Sequence, residues 1–246
     1  MLAGQWHYYN TGQTGGTRGA DIDILGAWQL ETGRKDIIVA VVDGGIDVTH
    51  EDLAANMWIN EDEIPGNGMD DDNNGYVDDI HGYSFATGSP DIVPDFHGTH
   101  VAGTIAAVSN NGIGVAGIAG GSGSGDGVQL MSCAVYADFI SDGFAESYIY
   151  SADNGAVISQ NSWGYISPGV YERVVLDAID YFIAEAGRDE SGNLTGPMDG
   201  GLVIFAAGND NSGSNYYPGY YSPTLAVAAT DHLDEKAYYS NFGTWV

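Results

Sequence analysis

The chain has 246 residues, 34 acidic against 6 basic, for a formal net charge of −28. Nothing in that balance could neutralise phosphates, which argues against nucleic acid or an anionic membrane surface as a partner. A hydrophobic content of 43% with 11% aromatics excludes a wholly disordered chain. The acid excess reads as a solvated anionic surface, some of whose carboxylates could be cation ligands. The length suits one large α/β domain. No apolar run approaches the ~20 residues of a membrane helix, and Met1 to Gly4 has neither the basic start nor the apolar core of a secretory signal. Cys133 is the only cysteine, so no internal disulfide can form, and its apolar setting reads as a packed thiol.

In chain order, residues 4 to 21 resemble an arm lying on a surface, and Ile22 to Thr32 a short helix that stops at Gly33. Asp36 to Val42 is a β-branched run without alternation, the pattern of a parallel strand covered on both faces. It ends at Asp43-Gly44-Gly45, which puts a carboxylate at the carboxyl end of a central strand, where open α/β sheets build sites. Residues 60 to 83 form an acidic excursion in which Asp70, Asp72 and Asn74 precede Gly75. With Asp78 and Asp79 this spacing predicts a structural calcium site, because so many carboxylates would otherwise repel one another. The loop differs from an EF-hand: His81 stands at the twelfth position and no flanking helix pair is evident.

From Asp95 the sequence enters a helix in which Val101, Ala102, Ile105, Ala106 and Val108 recur at helical spacing. The pattern predicts a helix apolar on most sides and buried, with His97 at its mouth. The glycine-rich run 120–125 lacks the lysine and spacing of a phosphate loop. A buried strand follows at 128–135, then a helix from Ala145 to Asp153 ending at Gly155. The strand 156–160 delivers Asn161-Ser162-Trp163-Gly164, and 170–185 is an amphipathic helix. Covered strands are expected at 202–207, leading into Gly208-Asn209-Asp210, and at 225–229. The alternation predicts an α/β fold: a doubly wound, mostly parallel sheet with helices on both faces. Asp43, Ser162 to Gly164 and Gly208-Asn209 each follow a strand and should gather along one sheet edge. No repeat or linker divides the chain, so 1–246 reads as a single domain.

Four motifs then carry a resemblance. Val41-Val42-Asp43-Gly44-Gly45-Ile46-Asp47, His97-Gly98-Thr99-His100-Val101-Ala102-Gly103, Asn161-Ser162-Trp163-Gly164 and Ala206-Ala207-Gly208-Asn209 resemble, in order, the subtilisin-like serine peptidases. Tyr217-Pro218-Gly219 and Ser240-Asn241-Phe242-Gly243 extend the likeness. The resemblance implies that His97 is the general base, that Asp43 orients it, and that Asn209 donates to the oxyanion. It implies that Ser162, Trp163 and Gly164 offer backbone and a pocket wall to an extended polypeptide substrate. His100 reads as packing behind His97 rather than as half of a metal pair. The family also implies a secreted or cell-surface monomer.

Three departures accompany the likeness. Gly44 stands where the family usually has Ser or Thr. The family's strong calcium site, at Asp52 and the loop Asn110 to Val115, looks incomplete because no aspartate precedes Gln5-Trp6. The nucleophile stretch G-T-S-x-A-x-P is not found after Asn209, where the serines are Ser212, Ser214, Ser222 and Ser240. The expectation is therefore a peptidase domain incomplete at its carboxyl end, and at its start, and inactive as residues 1–246. Two rivals stay open: a calcium-stabilised, non-catalytic binding or scaffold domain, and a metal-dependent hydrolase using His97 and His100.

Overall fold

A computed structural model describes residues 4–189 and 191–246. The elements in chain order are α1 (Ile24–Ala27), β1 (Ile38–Asp43), β2 (Gly82–Ser84), α2 (Phe96–Ala106), β3 (Gln129–Ala134), β4 (Tyr136–Ala137), β5 (Ile140–Ser141), α3 (Phe144–Asp153), β6 (Ile158–Asn161), α4 (Arg173–Glu185), β7 (Leu202–Ala206) and β8 (Leu225–Val227). Six strands form one parallel sheet in the order β2-β3-β1-β6-β7-β8. The expected doubly wound sheet is thus observed. The chain fills positions on one side of β1 and then crosses to the other, so the carboxyl end of β1 is where crossovers diverge and a crevice opens.

β1 is covered on both faces, as its unalternating sequence requires. Val39 and Val41 pack with Leu130 of β3 against Ala102 and Ala106 of α2. Ala40 and Val42 face the opposite way, into a cluster with Met131, Tyr148 of α3, and Ile179 and Phe182 of α4. Cys133 is fully buried in that second cluster, and burial pushes its thiol well above the ordinary value.

Several expectations need correction. The first helix is one turn, not the span 22–32. β2 and the β4–β5 hairpin, built from two- and three-residue segments, are too short to leave a periodic signal. α2 is not buried all round. Gly98, Ala102 and Ala106 face the sheet, whereas Phe96 is 87% exposed and His100 and Thr104 lie open to solvent.

β7 and β8 are covered on one face only. Val203 and Phe205 are fully buried, while Leu202 is 37%, Leu225 50% and Val227 51% exposed. Register places Ile158 beside Leu202, Gln160 and Leu225 beside Ile204, and Ala206 beside Val227, so one side of β6–β8 is continuous and apolar except for Gln160. That side is shared with Val39 of β1, and so with α2, through the Val39–Ile158 pairing. α2 lies over β1 and β3 but does not shield the exposed side chains of β7 and β8.

The two faces should respond differently to mutation. In urea unfolding, Phe205→Ala is expected to cost about 3–5 kcal/mol, and Leu225→Ser less than about 1 kcal/mol.

Candidate active site

Asp43 ends β1 with only 5% of its surface exposed. A buried carboxylate needs hydrogen-bonded partners. Its Oδ1 accepts from the Gly44 N–H at 2.7 Å and contacts Nδ1 of His97 at 2.8 Å. The imidazole is the solvent-facing member of the pair, with a side chain 49% exposed against 7% for Asp43. A neutral His97 bonded through Nδ1–H would present Nε2 as a free acceptor.

The helix that carries His97 is pinned to β1 through close backbone contact. A Cβ on Gly98 would lie 2.5 Å from the Gly45 carbonyl oxygen, so only glycine lets α2 seat there. Asp95 caps α2: its Oδ1 accepts from the N–H groups of His97 at 2.9 Å and Gly98 at 3.2 Å. The Gly44 departure now has a physical reason. A Cβ at residue 44 would fall 2.7–2.8 Å from the Asp95 side chain, so the capping carboxylate occupies the space a serine or threonine would fill. Asp43, Asp95 and His97 each bring one N or O atom within 4.8 Å of the others. Asp95 was missed in the sequence, although an aspartate two residues before a histidine that opens a helix is a capping signal.

Ser162, Trp163 and Gly164 leave the end of β6, where fully buried Asn161 holds them. Asn161 Oδ1 accepts from the Tyr148 hydroxyl at 2.7 Å and from Trp163 Nε1 at 3.2 Å. The Trp163 ring packs on Phe144 and Phe205 at centroid distances of 4.4 and 5.3 Å, so its indole is anchored in the core. Asn209 follows β7 and is exposed. Its loop is fixed by the buried Asn241, whose Oδ1 accepts from the N–H groups of Asp210 and Ser212 and whose Nδ2 donates to the Ala207 carbonyl. Two cavities share Ser162, Trp163 and Gly164: one of about 560 Å³ also touches Asp43 and His97, and one of about 260 Å³ also touches Asn209.

His100 is not packed behind His97. It is exposed and lines, with His7 and His50, a cavity of about 680 Å³ beside α2 that meets the one beside His97 at Pro94, Asp95 and Phe96. His97 lines the cavity at the carboxyl end of β1, whereas His100 lines the one beside α2. Asp52 accepts from Asn111 Nδ2 at 2.7 Å and Val115 N–H at 2.9 Å, and Gln5 pairs with both backbone groups of Ala116.

In the acidic loop, the structure brings together Glu63, Asp70 and Asp72. Asp78 and Asp79 do not join them. Asp78 accepts from the N–H groups of Asn67 and Gly68. Asp79 is fully buried and bonded to Tyr150, Asn60 and Asn74, and desolvation raises its pKa. The Asn74 amide donates to Asp72 and Asp79, and its Oδ1 accepts from the Tyr76 N–H. The carboxylates that the structure gathers thus differ from the five residues read from the sequence: Glu63 joins Asp70 and Asp72, while Asp79 bonds to Tyr150 of α3. Glu63 lay outside the motif and left no signal.

The sequence profile of the Subtilase family matches residues 34–246. The chain is 34% identical over 259 residues to an extracellular protease of Xanthomonas campestris pv. campestris, covering 100% of this chain and 40% of that protein. It is 30% identical over 225 residues to a thermophilic serine proteinase of Bacillus sp. (strain AK1), covering 89% of this chain and 45% of the relative. The chain therefore spans less than half the length of these curated relatives. A solved protease structure from Pseudoalteromonas arctica PAMC 21717 superposes with a TM-score of 0.68 at 29% identity, over 98% of this chain and 68% of that one.

Gly44→Ala should destabilise the chain by about 1–3 kcal/mol through its contact with Asp95. In an Asp95→Gly background, where the N-cap survives as glycine, the same change should be close to neutral. A double-mutant cycle in urea measures the coupling.

Proposed function

The chain belongs to the Subtilase family, and from that membership we propose that it forms the general-base and oxyanion portion of a serine endopeptidase acting on polypeptides. The observation that carries the reading is the 2.8 Å contact between His97 Nδ1 and buried Asp43, with the imidazole opening into a cleft. In this mechanism His97 Nε2 takes the proton of a serine hydroxyl as its oxygen attacks the scissile carbonyl. Asp43 keeps the proton on Nδ1 and stabilises the imidazolium. The Asn209 side chain donates to the tetrahedral oxyanion. His97 then returns the proton to the leaving amine, and water, activated by the same base, releases the acyl group.

Among the described residues, His97 Nε2 receives no hydrogen bond from a serine hydroxyl. The uncovered apolar side of β6–β8 lies next to α2 and supports the idea that a further element seats there and brings the nucleophile to His97. Residues 1–246 alone are then inactive. Among the described residues, no helix is long and apolar enough to cross a membrane. The name of the Xanthomonas relative favours an extracellular setting for this chain as well. We read it as a monomer that needs no nucleic acid or membrane partner.

Calcium is the proposed structural ion. Glu63, Asp70 and Asp72 offer only hard carboxylate oxygens, within 4.8 Å of one another, which fits calcium better than a thiolate- or imidazole-loving metal. These residues would hold it and so fix the acidic loop.

A fluorophosphonate probe should leave the 246-residue chain unlabelled and should label a longer form that carries the serine. In that form Asn209→Ala should lower turnover by roughly 10²–10³, the usual cost of one oxyanion donor. Failure of the longer form to label would favour the non-catalytic scaffold. Adding EGTA should lower the melting temperature, and Asp70→Asn with Asp72→Asn should remove that response in a thermal scan.

A further inference from the structure

We propose that Asp95 is a specificity-determining residue that makes the cavity beside His97 select a cationic, lysine- or arginine-type side chain of the substrate. This rests on the peptidase reading and goes further by naming what the cleft prefers. An extended peptide laid along Ser162 to Gly164 would turn successive side chains to opposite sides. The cavity that contains Asn209 would take the residue bearing the scissile carbonyl. The preceding side chain would then enter the cavity of about 560 Å³ beside His97.

The walls of that second cavity carry three carboxylates: Asp43, Asp95 and, at its exposed rim, Asp138. Asp43 is 5% exposed and spends its Oδ1 on His97 and on the Gly44 N–H, so Asp95 is the more accessible of the two. Asp95 spends only Oδ1 on the helix cap, and among the described residues its Oδ2 accepts no hydrogen bond. Gly44 is what allows the carboxylate to stand there, since a Cβ at that position would lie 2.8 Å from Oδ1.

The chain brings no lysine or arginine to this wall among its described residues. Its six basic residues are Arg18, Arg34, Lys35, Arg173, Arg188 and Lys236, and none lines the cavity. Tyr136 completes the pocket. Burial pushes its phenol up to about 12, so it stays a neutral ring on which the stem or head of a cationic side chain can rest.

The test uses the 246-residue chain and needs no nucleophile. Fluorescein-labelled Ala-Ala-Xaa-Ala-Ala-Ala peptides are titrated by anisotropy, with Xaa arginine or citrulline, its neutral isostere. The arginine peptide should bind about fivefold to tenfold tighter at low salt. Asp95→Asn preserves the helix cap, because asparagine caps as well as aspartate, and should remove most of that ratio. A peptide with arginine moved to the last position should show little preference, which separates the pocket from the general field of an acidic protein.

Equal binding of both peptides overturns the assignment while leaving the peptidase reading intact, as does a ratio that survives Asp95→Asn. Absence of binding by either peptide overturns the assignment together with the substrate cleft. Loss of fluorophosphonate labelling in the longer form, with the ratio intact, removes the catalytic reading alone.

Discussion

The contact between Asp43 and His97 joins residues 54 apart in sequence, and most of the local architecture exists to keep it. A strand end and a helix start must meet within the length of two side chains. β1 can deliver a nearly buried carboxylate because both its faces are covered, leaving the aspartate only the cavity at the strand's end. α2 can deliver the imidazole because Gly98 lets the helix rest on the Gly45 backbone. Asp95 then ties off the helix's unsatisfied N–H groups. The pair is therefore a consequence of backbone packing, with glycine at positions 44, 45 and 98, where a methyl group could not fit.

The loops around the pair are stabilised without a disulfide. Asn161 and Asn241 are each fully buried and satisfy backbone and side-chain groups on both sides of the cleft. Asn56 ties down the far end of α2 through Nδ2 alone, donating to the carbonyls of Ala106 and Gly120, while its buried Oδ1 has no partner among the described residues. A buried amide is costly unless bonded, so each makes its loop conformation hard to exchange for another. With a single thiol in the chain, such networks provide the rigidity a catalytic edge requires.

The parts of the site visible in the sequence are those set by local pattern. A β-branched run that stops at Asp43 and a strand that ends in a glycine turn before Asn209 placed both at strand ends, while their roles came from the resemblance to subtilisin-like peptidases. His97 was legible because small residues follow it at helical spacing. What the sequence could not show depends on contacts between distant segments. Asp95 acquires its place only when residue 44 comes against it. Glu63 reaches Asp70 and Asp72 only when the loop folds back, and Asp79 leaves that group because Tyr150 of α3 draws it inward. The half-covered state of β7 and β8 was equally hidden. Their sequences are apolar at every position, and apolar character records the need for cover without saying what supplies it.

That last feature links architecture to chemistry. Parallel strands are ordinarily covered on both faces, and β1 obeys this while β7 and β8 do not. The exposed side chains of β7 and β8 lie on the α2 side of the sheet. An element packed there would gain apolar burial from Leu202, Leu225 and Val227. It would also be brought close to the face where the imidazole waits for a partner. Completion of the hydrophobic core and completion of the catalytic group would then be one event, with the energy of burial used to position a nucleophile.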